Sequence, residues 1–250
     1  MTEKIEHISW DFGDKVFDFE CVIRRSSRSK RINIKVPEPQ KVILTIPRWS
    51  SIAGGKEFLA QQKDWVRTKS LQVPKPKKLS EYFLEGQPIW LDEAARQVDW
   101  LVEEERKRTI KKIGSEYISF SFPSVIDLEL GLLKECIRLA QVYLPQRLSF
   151  CEQHVKKKSL KCRVGNQRSR WGSCSGKGTI SLNWRILLLP FPLGDYIIYH
   201  ELAHLEHMNH SSRFWDYLDV LVPHAKHVDK ELMKRGKGII SLGQVGLCPT

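Results

Sequence analysis

The chain has 250 residues, 41% of them hydrophobic and 10% aromatic, which is enough to bury a core and too apolar for a disordered polypeptide. Its formal net charge is +12, from 41 Lys and Arg against 29 Asp and Glu, so anionic partners have to be considered. The longest apolar run, ILLLPFPL at 186–193, is too short to span a bilayer and is broken by two prolines, so no membrane partner is expected.

The amino-terminal stretch MTEKIEHISWDFGDK is polar and mixed in charge, unlike a secretory leader. Strands are predicted at 17–25 (FDFECVIRR), 31–36 (RINIKV) and 41–47 (KVILTIP), with EPQ at 38–40 as a hairpin turn. Residues 24–35 hold six basic side chains and no acid, a cluster able to attract phosphates or simply a solvated face. Phe58, Leu59, Trp65 and Val66 recur at near-helical spacing, which predicts one amphipathic helix over 55–72. VPKPKKLSE at 73–81 is a proline- and lysine-rich connector, and short strands follow around EGQPIWLDE, QVDWLVEE and EYISFSF.

From about residue 126 the pattern becomes helical. Apolar positions 128, 132, 133, 136, 137, 139, 140 and 144 predict a long helix that Pro145 bends or splits. SLKCRV (159–164) and GTISLNW (178–184) read as strands on either side of a turn around WGSCSGKG. Residues 154–170 form a second basic cluster, with seven Lys and Arg and no acid. Neither cluster carries the interleaved aromatics of a base-stacking surface. A helix is expected to start near Asp195 as N-cap, and RFWDYLDVLVP and HVDKELMKRG are closing helices. The expected organisation is α+β: a strand-rich region at 1–122, a mainly helical domain at 123–237 and a tail at 238–250. The six cysteines (21, 136, 151, 162, 174 and 248) include no CxxC pair, which reads as reduced thiols in a cytoplasm.

The stretch YHELAHLEHMNHSSRFW at 199–215 carries the chemistry. Residues four apart on a helix face the same way, so His200 and His204 aim two imidazoles at one point. Glu201 lies about 100° round from His200, where it can take a proton from a bound water. Catalytic zinc usually takes three protein ligands and keeps one position for water. His207 would supply the third on an uninterrupted helix, but three ligands on one helix crowd one side of a metal. Geometry therefore favours His210, reached if the helix ends and the chain turns back at Asn209, a residue that tolerates left-handed geometry. The spacing 200, 204, 210 matches that of metzincin-type proteases, although His207 stands where those have glycine. The bland alternative is a histidine-rich helix.

The runs RWGSCSGKGTISLNWRILLLP (170–190) and DYIIYHELAHLEHMNHSSRFW (195–215) closely resemble the YgjP-like metallopeptidase family. VIRRSSRSKRINIKV, the ILTIP strand and the KDWV helix extend the likeness upstream. The resemblance implies a zincin-like carboxy-terminal domain with a small sheet and an HExxH helix. It implies Zn2+ held by His200, His204 and His210, with Glu201 as base, and selects the histidine of NHS over His207. It also brings similarity to SprT-like and WLM proteases acting on DNA-bound proteins, and one family member assigned to UTP pyrophosphate hydrolysis.

Zincins bind substrate as an added strand beside the metal, and ISLN is that edge or its neighbour. In this reading Arg170 grips a carboxylate or phosphate, while Gly172 lets backbones approach closely. Trp171 is either a substrate contact or a core anchor, with Ser173 and Ser175 closing a turn. Cys174 has no separate histidine partner to make it a nucleophile. Phe214 and Trp215 are expected to pack beneath the metal site, and Arg170 or Tyr217 to stabilise an oxyanion. Three readings follow: a zinc metallopeptidase acting on proteins or peptides, a metal-dependent UTP pyrophosphatase that grips nucleotide through the basic clusters, and a nucleic-acid-associated protein with a structural zinc.

Overall fold

A computed structural model describes residues 3–73 and 77–244. Contacts divide the chain into two compact units, Met1–Pro76 and Lys77–Thr250. The expected boundary at 122/123 therefore falls inside the second unit, at the end of a strand that shares that unit's core.

The first unit is a sheet of four strands, β1 (Glu3–Asp11), β2 (Val16–Ser26), β3 (Asn33–Glu38) and β4 (Lys41–Pro47), in the order β1-β2-β4-β3. β2 and β4 run parallel, and the other two pairings are antiparallel. β1 escapes the sequence pattern because only Ile5, Ile8 and Trp10 give its polar run any alternation. The single helix expected over 55–72 is instead two, α1 (Ile52–Gln61) and α2 (Lys63–Gln72), separated where Gln62 leaves helical geometry. Ser51 caps α1 by accepting from the Gly54 N–H at 3.0 Å. Phe19, Cys21, Ile23, Val42, Leu44, Ile46, Leu59 and Val66 form this unit's core.

The second unit opens with α3 (Leu79–Leu84), so the connector read at 73–81 already turns helical at Leu79. β5 (Ile89–Leu91), β6 (Ala94–Glu103), β7 (Ile110–Ile113) and β8 (Tyr117–Pro123) form a sheet in the order β5-β6-β8-β7. Next comes α4 (Leu128–Cys151), whose N-cap Asp127 accepts from the Leu130 N–H at 2.8 Å. Pro145 lies within this one continuous helix and does not split it.

A three-stranded sheet follows, built from β9 (Lys161–Gly165), β10 (Gly172–Cys174) and β11 (Thr179–Asn183) in the order β10-β11-β9, with β10 at an edge. Three helices complete the unit: α5 (Phe191–Ala203), α6 (Ser212–Leu221) and α7 (Ala225–Ile239). One hydrophobic core joins strands β5, β6 and β8, α4, β11 and α5 to α7. The region expected as a tail from 238 completes α7, and its Leu242 is buried in the same core. No helix among the described residues is long and apolar enough to cross a membrane.

Candidate metal centre

Helix α5 begins at Phe191, four residues before the expected cap, because Pro190 and Pro192 preset the first turn. Asp195 is thus inside the helix, and its carboxylate accepts from Arg147 Nε of α4 at 2.6 Å. Leu193, Tyr196, Ile197, Ile198, Leu202 and Ala203 are buried, which fixes the rotation of α5 and so the direction of its polar residues.

One imidazole nitrogen from each of His200, His204 and His210 lies within 4.8 Å of the other two. His200 Nε2 and His210 Nε2 are 3.0 Å apart. His200 and His204 are half-buried and His210 is exposed, so the group opens to solvent on one side. The chain reversal that delivers His210 differs from the expected one. α5 already ends at Ala203, whose carbonyl accepts from the Glu206 and His207 N–H groups at 3.1 and 2.9 Å. Asn209 is not left-handed: the described non-glycine residues with positive φ are Asp92, Glu93 and His224.

His207 turns its ring onto Tyr217, with centroids 5.9 Å apart, and away from the other three histidines. It contributes its backbone instead: its carbonyl lies 3.1 Å from His204 Nδ1. A carbonyl only accepts, so His204 carries its proton on Nδ1 and leaves Nε2 with a free lone pair. His200 Nδ1 lies 3.5 Å from the Tyr196 hydroxyl, which donates to Asp229 Oδ1 at 3.0 Å. Burial, then the neighbouring His204 and His210, lower His200 to about 3, so it stays neutral at ordinary pH. Burial also lowers His204. A neutral imidazole with a free lone pair is the ligand form of histidine, which suits His200 and His204, and a group of three histidines fits a divalent metal with an open position.

Phe214 of α6 is fully buried beneath this cluster, its ring centroid 5.0, 4.7 and 4.8 Å from those of His200, His204 and His210. Trp215 flanks the His200 and His210 rings at 6.4 and 6.1 Å. One aromatic residue thus supports all three imidazoles.

Glu201 is only 6% exposed and makes no hydrogen bond or ion pair among the described residues. Burial raises it to about 7, opposed by the positive charge of Arg170. Its carboxylate lies over Gly172: a Cβ there would stand 2.5 Å from Glu201 Oε1 and 2.8 Å from its Cδ. The close approach that Gly172 permits is therefore made by Glu201. Cys174 lies on the same face of β10, and burial followed by the Glu201 charge raises its thiol.

The Trp171 carbonyl accepts from Asn183 N at 2.7 Å, and Ser175 N donates to the Thr179 carbonyl at 2.9 Å. Alternation then turns the peptide groups of Gly172 and Cys174 to the outer edge of the sheet. This edge strand, not the ISLN strand β11, is the one beside Glu201. The Trp171 ring rests on α7, where a Cβ at Gly236 would stand 2.7 Å from Cζ2. Arg170 is exposed, and its carbonyl, like that of Gln167, accepts from Asn183 Nδ2 at 2.9 Å. The Tyr217 ring packs on His207, and burial raises its hydroxyl, opposed by the Lys156 backbone.

Sequence reasoning missed Tyr196, Asp229 and Asn183. Tyr196 precedes His200 by four residues, a spacing that already puts it on the ligand face. No local signal marks Asp229, which a separate helix brings in.

The family description "YgjP-like, metallopeptidase domain" matches residues 30–235. No curated protein matches the chain. Among solved structures it is similar to the metallopeptidase zymogen of Pyrococcus abyssi abylysin, at 28% identity over 37% of this chain and 94% of that one, with a TM-score of 0.34. The family match spans well over half of the sequence and includes every residue of the cluster just described, and so the chain belongs to the YgjP-like metallopeptidases.

Proposed function

We propose that the protein is a zinc-dependent endopeptidase of the HExxH type, with His200, His204 and His210 as ligands through Nε2 and Glu201 as general base. One observation carries this reading: three imidazoles, each with a nitrogen within 4.8 Å of the others, converge beside a buried carboxylate that lies over an edge strand and has no hydrogen bond among the described residues. Zinc, when bound, supplies a Lewis acid for the scissile carbonyl and an acidified water.

The chain's own residues do the rest. The peptide groups of Gly172 and Cys174 pair with an extended substrate along the outer edge of β10. Glu201, held near neutrality by burial, accepts the proton of the attacking water and passes it to the leaving amine. Arg170, whose backbone is clamped by buried Asn183, holds an anionic group of the substrate next to Glu201. Trp171 fixes the start of β10 by packing on α7. The buried, protonated thiols of Cys21, Cys136 and Cys151 suit a reducing cytoplasm.

The test compares wild type with His210→Ala and Glu201→Gln for zinc content and for hydrolysis of an unfolded protein, a peptide and UTP. Wild type is expected to hold one zinc and cleave the polypeptides. His210→Ala loses the metal, and Glu201→Gln keeps it but is inactive. Full zinc retention by His210→Ala would sink the ligand set, peptide cleavage by Glu201→Gln the mechanism, and UTP hydrolysis without proteolysis the substrate class.

A further inference from the structure

We propose that Tyr196 and Asp229 are positioning residues for the metal centre, which fix the His200 tautomer by a relay from α7; this rests on His200 being a ligand. Tyr196 lies one turn before His200 on α5 and is 1% exposed, so its ring is held by the core. Its hydroxyl has one proton, donated to Asp229 Oδ1 at 3.0 Å. Toward His200 Nδ1, 3.5 Å away, that oxygen can then only accept. The His200 proton is thereby kept on Nδ1, and the Nε2 lone pair is left facing His210 Nε2.

His204 reaches the same tautomer through the His207 carbonyl. His200 within α5 and His204 at its C-cap are thus set by different devices, a local turn for His204 and a distant carboxylate for His200. Hydrogen-bond partners of this kind orient metal-bound histidines and are worth 10- to 100-fold in metal affinity. Without the Tyr196 oxygen, the metal-free imidazole is free to take the other tautomer, with its proton where the metal should bind.

The experiment titrates wild type, His210→Ala, Tyr196→Phe, Asp229→Leu and Asp229→Asn with Zn2+ against a chromophoric chelator. The His200 ring 15N shifts of the metal-free proteins report the tautomer. Tyr196→Phe and Asp229→Leu are expected to bind zinc about 10- to 100-fold more weakly, with part of the His200 proton moved to Nε2. Asp229→Asn keeps a carbonyl oxygen for Tyr196 and is expected to stay close to wild type. Purely structural damage would lower the melting temperature of the metal-free variants without moving the 15N signature. Wild-type affinity in Tyr196→Phe, with the proton still on Nδ1, would overturn the relay while His210→Ala still supports the ligand set. If both variants fail to fold, wild type decides alone: a His200 proton on Nε2 overturns the proposal, and one on Nδ1 supports it. A wild type that binds no zinc removes the ligand reading and the relay together.

Discussion

The two units of the chain treat buried polar side chains differently. In the first, the buried polar residues among those described are Thr45 and Ser70, both uncharged, around a core of eight aliphatic, aromatic and thiol side chains. In the second they are Glu135, Arg147, Asn183, Arg185 and Glu201, four of them ionisable. Burying a charge costs several kcal/mol unless it is paired, so such groups persist where geometry or chemistry requires them. Arg147 has Asp195, and Glu135 has Arg138. Arg185 pairs with no carboxylate among the described residues; it donates to the carbonyls of Leu242 and Gln167 and to the Asn183 amide oxygen, lies over the Trp184 ring, and is lowered by burial to about 10. Glu201 has nothing but the field of Arg170. The two without an ion-pair partner among the described residues, Arg185 and Glu201, are the ones that touch Gln167, in the segment leading to β10, and Gly172 of β10 itself.

The largest expected effect tests this contrast at Glu201. Glu201→Gln keeps the shape and removes the proposed base, and peptide hydrolysis is expected to fall about 10²- to 10⁴-fold with zinc retained. The same substitution has a stability signature in the metal-free protein. The Glu201 carboxyl is raised from 4.5 to about 7, so between those values the folded state holds a proton that the unfolded chain has released. Its contribution to stability is complete below about pH 4.5, falls as pH rises, and has become a cost of about 3 kcal/mol above pH 7. Urea unfolding should therefore show Glu201→Gln more stable than wild type at about pH 8, and no different at about pH 4. His200, lowered to about 3, acts in the opposite sense and equally in both proteins, so only the difference between them is diagnostic. An unchanged difference across this range would mean that Glu201 is not desolvated.

Next in size is Gly172→Ala. The added methyl would meet the Glu201 carboxylate at 2.5–2.8 Å, so the side chain must shift by about 1 Å. A displacement of that order costs about 10²-fold in rate, while overpacking costs about 1–3 kcal/mol. The expected outcome is a folded, zinc-loaded protein with kcat lowered far more than KM is changed. Asn183→Ala should act mainly on stability, by about 2–4 kcal/mol, because it removes the Nδ2 donor shared by the Gln167 and Arg170 carbonyls and the Oδ1 acceptor of the buried Arg185 N–H, leaving the Gln167 carbonyl only its longer bond from Arg185 Nη1. Activity then falls through a loosened segment 166–171, measurable as a raised KM with a smaller loss in kcat.

Much of the second unit's architecture is written in local pattern. HExxH spacing puts His200, Glu201 and His204 on one helix, and the apolar periodicity of 128–144 gives α4. The features that sequence did not give have non-local causes. Gln62 interrupts what reads as one amphipathic helix, although nothing in its neighbours marks it. Pro145 is tolerated inside α4, although proline inside a helix is a breaker by rule. Asp195 looked like an N-cap because its use by Arg147, 48 residues earlier in the chain, is invisible along the sequence. Gly172 reads as a place for close backbone approach, and the group that stands over it, the Glu201 carboxylate, is 29 residues away in the chain. Composition places a boundary after β8 because β5 to β8 look like the first unit's strands, yet Ile89, Leu91, Ile118, Phe120 and Phe122 share a core with α4 and α5.

The smallest expected effect on the site is the sharpest check of the contrast between units. Leu44 is fully buried in the first unit, between β2 and β3 in the sheet, and meets Ile23 and Ile34 in register. Leu44→Ala removes three methylene-sized groups from a core with few alternatives, and should destabilise that unit by about 2–5 kcal/mol. Because the first unit's buried polar residues are uncharged, the loss should be one of packing alone, independent of pH between about 4 and 8 and of zinc. Chelator titration of Leu44→Ala should return the wild-type zinc affinity, and the 15N tautomer signal of His200 should be unchanged. A weakened zinc affinity in a variant that remains folded would mean that the first unit's core also holds the imidazoles in place, and the division between a packing unit and a chemical unit would have to be abandoned.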